Sequence, residues 1–69
     1  MTQHELILKH LDEFGSISPI EAFESYGITK LATRISEMTR QGVHFTRVMM
    51  TSENRYGEPV RYMRYWRAK

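Results

Sequence analysis

The side-chain period of the chain changes once, at Gly42. Before it, apolar residues recur at helical spacing, as in Leu31, Ile35 and Met38 at i, i+4 and i+7. After it, "VHFTRVMMT" and "VRYMRYW" are rich in β-branched and aromatic residues, the composition of extended strands. A chain that switches period once has its helices first and a hairpin last.

Leu6, Ile7, Leu11 and Phe14 predict an amphipathic helix over residues 3–14, stopped by Gly15. Ser18, Pro19 and Glu21 then supply a capping hydroxyl, a first-turn proline and a carboxylate placed to reach back to the cap. A second helix is expected over 18–25, carrying Ile20, Ala22 and Phe23 inward, with Tyr26-Gly27 as a tight turn. Thr29 is the next cap candidate, with Ile28 packing just before it, so a third helix is expected over 29–41. Its Leu31-Ile35-Met38 stripe faces the core, with Ala32 beside it where a larger side chain would push helices apart. Strands follow over 43–51 and 60–66, joined by a long loop, "SENRYGEP", at 52–59; Ser16-Ile17 is a candidate third strand.

At 69 residues the chain fits one domain, expected over 1–69, with no room for a separate catalytic unit. It has no cysteine, so neither a disulfide framework nor a thiolate metal site supplements packing. The longest apolar run is Leu6 to Leu8, far short of a membrane span, and "MTQHEL" lacks a basic segment followed by an apolar one, so no leader is expected. A cytoplasmic protein with no membrane contact is expected. The net charge of +2 is unevenly distributed. Residues 1–42 hold four basic and six acidic groups, −2 in all, whereas 43–69 hold six basic and two acidic, +4 in all, interleaved with Tyr56, Tyr62, Tyr65 and Trp66. Such polarity is a footprint for a polyanion.

Two helices joined by a glycine-bearing turn make a helix-turn-helix, and a hairpin after it makes the winged version. The expected fold is therefore α+β: three helices followed by a two-stranded antiparallel hairpin. In that arrangement the third helix enters the major groove of double-stranded DNA, and the hairpin loop touches backbone or minor groove. Lys30, Thr33, Arg34 and Glu37, on the first turns, are the expected base readers, with Arg40 further along and Thr29 placed for a phosphate. Arg34 also lies where it can pair with Glu37 or Glu21 instead. Arg55 at the loop tip, with Arg47 and Arg61 on the strands, is expected to bind phosphates.

Each feature has a plainer reading. A small helix needs a polar coat, and charges on a hairpin also keep edges from aggregating. Met49, Met50 and Met63 read as gap-filling or strand residues, and Tyr62, Tyr65 and Trp66 as core or a dimer surface. His4, His10 and His44 lack the spacing and neighbouring carboxylates of a metal site and are expected at the surface. No phosphate-binding glycine loop or nucleophile constellation is present, so no enzyme activity and no cofactor are expected.

"GSISPIEAFESYGITKLATRISEMTRQG" and "NRYGEPVRYMRYW" together make nearly the whole chain resemble a family of small winged helix-turn-helix proteins common in bacteriophages and prophages. The first matches that family's Ser-Ile-Ser/Thr-Pro start, Gly-Ile-Thr turn and Arg-Ile pair, and the second its wing. The sequence departs from the pattern at Thr39, where relatives often carry leucine or arginine, while Met38 keeps the apolar position. The resemblance implies transcription regulation in a bacterial host through duplex DNA. Two other uses of the same scaffold stay open: docking on a protein such as a repressor or polymerase, and excisionase-like architectural binding. Self-association as a dimer is also open.

Overall fold

The computed structural model describes residues 1–68; Lys69, counted above with the basic segment, lies outside them. Three helices and a three-stranded antiparallel sheet make an α+β fold: α1 (Gln3–Phe14), β1 (Ser16–Ile17), α2 (Pro19–Tyr26), α3 (Leu31–Arg40), β2 (Phe45–Glu53) and β3 (Pro59–Arg67), with the sheet ordered β1-β3-β2.

Local chemistry sets the first two helix starts. The Glu5 N–H donates to the Thr2 hydroxyl while the Thr2 N–H donates to the Glu5 carboxylate, closing a capping box on α1. Ser18 and Glu21 do the same for α2 at 2.9 and 3.3 Å, with Pro19 at its first turn. Gly15 and Gly27 end the two helices with φ of 88° and 70°, a region costly to any residue with a Cβ. Between α1 and α2, Ser16 pairs with Trp66 and Ile17 with Tyr65, so the candidate third strand forms.

Ile7, Leu11, Ile17, Ala22, Ile28, Leu31, Ile35, Met38 and Tyr65 form the core. Burying a side chain of this size gains about 1.5–3 kcal/mol. Several inward expectations fail. Phe14, Ile20 and Phe23 are more than half exposed, and Ala32 is exposed rather than wedged between helices. An eight-residue α2 presents one row to the core, and Ala22 fills it. His10 is buried, contrary to its expected surface place: its Nδ1 shares a 2.7 Å hydrogen bond with the Tyr26 hydroxyl, and Phe14 lies against its ring.

The α2–α3 connection also differs from expectation. Thr29 does not cap α3; the helix begins at Leu31, with Lys30 before it at φ −124° and ψ 61°, neither helical nor extended, and no side-chain cap bond. The Ile28 N–H donates to the Ala22 carbonyl and the Ile28 side chain is buried, which draws the turn inward and delays the helix by two residues.

The hairpin is longer than the composition suggests. β2 and β3 pair from Phe45↔Arg67 to Glu53↔Pro59, leaving a turn of only Asn54 to Glu58 where a loop over 52–59 was expected. Asn54 makes this possible: its Oδ1 accepts from the Tyr56 and Glu58 N–H groups, and Gly57 takes a φ of 76°. The ladder's phase follows from its two ends, where Asn54 N–H donates to Glu58 O and Ala68 N–H to His44 O. Even-numbered residues of β2 therefore bond to β3, and odd-numbered ones point their N–H and C=O away from it.

Candidate nucleic-acid interface

On α3 the buried Leu31, Ile35 and Met38 lie within about a third of the helix circumference, and at 100° per residue Thr33 and Arg40 fall opposite them. Ser36 lies beside that pair. Lys30, Thr33, Ser36 and Arg40 are all exposed, and Thr29 is exposed in the preceding turn. The first turn holds no carboxylate and the last turn holds Arg40. Thr39, where the family pattern is broken, turns its hydroxyl back to the Ile35 carbonyl at 2.9 Å.

Arg34 and Glu37 occupy one flank and are half-buried. Arg34 Nη1 stands 3.2 Å from Glu37 Oε1, and His4 Nε2 of α1 donates to the same oxygen at 2.8 Å. The His4 hydrogen bond, helped by the charges of Arg34 and Arg40 and opposed by partial desolvation, holds the Glu37 carboxyl below the usual glutamate range. Both side chains are thus engaged inside the fold, and Arg34 Nε is buried with no hydrogen-bond partner. Glu37 meets a cytosine only by releasing His4.

The wing contributes three arginines. In the pairing register Arg47 faces Tyr65 and Arg61 faces Thr51, so both arginines share the sheet face that carries the core residues Ile17 and Tyr65. The Arg47 guanidinium carbon lies 5.7 Å from the Tyr65 ring centroid, a cation–π contact that steadies its base and leaves the side chain exposed. Arg55 and Tyr56 stand exposed in the turn that joins β2 to β3. Among the described residues Lys30, Arg40, Arg47, Arg55 and Arg61 have no ion-pair partner.

Of the two carboxylates of α2, Glu21 is engaged elsewhere. Glu21 turns toward β3: Arg64 Nη1 donates to its Oε1 and to Ser16 Oγ, both at 2.9 Å. Burial pushes the Glu21 carboxyl up, and the Ser18 hydrogen bonds with Arg64 outweigh it, so its pKa is lowered. For two side chains that shape the site the sequence shows the place but not the partner: His4 is expected at the surface and Asn54 in the loop. His4 bonds across 33 positions of sequence and left no local signal. Asn54 did leave one, since Asn three residues before Gly is a turn signature. Among the described residues no group of His, Cys, Asp or Glu could hold a metal, and no helix is long and apolar enough to cross a membrane.

A helix pair with its second helix presented to solvent, followed by a projecting basic hairpin, defines the class of winged helix-turn-helix folds, typically DNA-binding and non-enzymatic. Comparison with protein families agrees: residues 2–69 match the winged helix-turn-helix domain family, and the chain belongs to it. No curated protein and no solved structure gives a significant match.

Proposed function

We propose that the protein is a sequence-specific binder of double-stranded DNA, a phage-type transcription regulator acting in the bacterial cytoplasm. In this reading α3 enters the major groove, where Lys30 and Thr33 approach base edges, Arg40 follows along the groove and Thr29 meets a phosphate. Arg34 and Glu37 act at the flank, Arg34 by reaching the groove edge beside its partner. Arg47, Arg55 and Arg61 hold the neighbouring backbone or minor groove.

One observation carries the reading. The α3 face opposite the buried stripe is exposed, and Arg40 on it and Lys30 just before the helix, like the three arginines of the wing, have no ion-pair partner among the described residues. Charges that merely coat a fold tend to be paired along a helix or scattered; here the paired ones, Arg34 and Arg64, are those turned inward.

The test is retention on heparin and a mobility shift with random duplex DNA at low salt, followed by selection of bound duplexes from a random library. Binding that falls with salt and enriches one motif supports the proposal. Absence of both retention and shift removes it and favours protein docking, for which the exposed Ile20 and Phe23 of α2 offer surface. A shift with strong bending and no enriched motif would favour an architectural role.

A further inference from the structure

We infer that β2 is a self-pairing edge, through which two copies of the chain join antiparallel strands into one continuous six-stranded sheet. β2 is the outer strand of the β1-β3-β2 sheet, nine residues long, and among the described residues β3 is its only extensive neighbour. Long exposed edges are normally guarded by proline, lysine, a bulge or a covering helix. β2 has no proline, no lysine and an unbroken register with β3, and the apolar Val48 and Met49 are about half exposed on it. Its only charges are Arg47 and Glu53.

The hydrogen-bond phase restricts how such an edge can pair. The outward N–H and C=O groups belong to odd-numbered residues, as the two ends of the β2–β3 ladder require. A two-fold pairing must set odd residues against odd ones, so its axis passes through a residue and not between two. With the axis at Met50, Met49 lies opposite Thr51 of the second copy, and Arg47 lies opposite Glu53. The only two charges of the strand then neutralise each other twice across the axis, on the same sheet face and in directly opposed positions. An axis at Met49 or Val48 satisfies the backbone equally but leaves Arg47 opposite Thr51 or Met49. Charge complementarity therefore selects Met50. Arg55 and Tyr56 lie beyond the paired stretch, and the inference does not depend on DNA binding.

The chain has no cysteine, which makes a direct test available. In this register Met50 faces Met50 of the second copy in a non-hydrogen-bonded pair, where Cα atoms stand about 4.5 Å apart, within disulfide reach. Val48 is displaced by four residues from its own copy, about 13 Å, and is out of reach. Mild oxidation should convert Met50→Cys largely to a covalent dimer and leave Val48→Cys monomeric. By sedimentation equilibrium at high micromolar concentration, the unmodified protein should give about twice its 8.2 kDa mass. Thr51→Pro removes an outward N–H and spares the β2–β3 ladder, so it should give monomers with an unchanged circular dichroism spectrum. Arg47→Glu should also give monomers, and Arg47→Glu with Glu53→Arg should restore the dimer. A monomeric unmodified protein, equal crosslinking of the two cysteine variants, or failure of the charge exchange to restore the dimer would overturn the inference.

Discussion

Salt dependence offers the sharpest quantitative consequence of the interface. Seven cations are exposed and unpaired among the described residues, and five of them, Lys30, Arg40, Arg47, Arg55 and Arg61, belong to the proposed interface, Lys9 and Arg67 being the others; Arg34 and Arg64 are each held by a carboxylate. In the monomer, where no second copy's Glu53 holds Arg47, one phosphate neutralised by each of the five makes log K fall against log salt with a slope of about −4.5, at about 0.9 per phosphate. Between 50 and 200 mM salt that is a loss of about 500-fold in affinity. Arg55→Ala removes one contact at the wing tip and should bring the slope to about −3.6, with affinity lowered for every sequence alike. Arg34→Ala should leave the slope where it was, because that guanidinium is already neutralised by Glu37. Fluorescence anisotropy with one labelled duplex across a salt series measures all three slopes. A slope shallower than about −2 for the unmodified protein, or an Arg55→Ala slope equal to it, would refute the cation count.

Other consequences concern specificity and stability. Lys30→Ala and Thr33→Ala should each lose about 1–3 kcal/mol of discrimination at one base position while retaining non-specific affinity, as read by competition with single-base variants of a selected site. Ile35, 1% exposed at the centre of the α3 stripe, should cost about 2–5 kcal/mol when replaced by alanine, most of what a domain of this size has, as urea melts would show. Ser18→Ala breaks the capping box of α2 and should cost about 1 kcal/mol, a fall in Tm of roughly 4–8 °C. The carboxyls of Glu21 and Glu37 both titrate below the ordinary 4.5 when folded and return to it on unfolding. Their contribution is therefore complete above about pH 4.5 and is lost as pH falls through the lowered folded values. Tm measured from about pH 7 to pH 3 should fall on the acid side, and less steeply in the Glu21→Gln and Glu37→Gln double variant.

What was legible in the sequence was what nearest neighbours decide. The Ser18-Pro19-Glu21 start, the Gly15 and Gly27 stops and the Leu31-Ile35-Met38 stripe each rest on groups within a few residues, and the chain obeys them. The start of α3 was not legible, because burial of Ile28 and its bond to the Ala22 carbonyl override a plausible threonine cap. Distant partners decided the rest. His10 is buried because Tyr26 offers it a hydroxyl 16 residues away, and Glu37 is engaged because His4 reaches it from α1. Composition alone marks eight residues, 52–59, as the wing loop, but one asparagine side chain closes it in five and lets the strands extend. At the site, exposure of Lys30, Thr33 and Arg40 followed from the period of the buried stripe. The internal engagement of Arg34 with Glu37 was one of two open alternatives until the helix flank was seen against α1.

In the proposed complex α3's outer face and the hairpin tip together meet duplex DNA. Amide chemical-shift mapping of the labelled protein during titration with a selected duplex tests it most directly. Perturbations should concentrate at Lys30, Thr33, Ser36 and Arg40 and at Arg55 and Tyr56. Perturbations gathered instead around Ile20 and Phe23, or none at these six positions at saturating DNA, would contradict it.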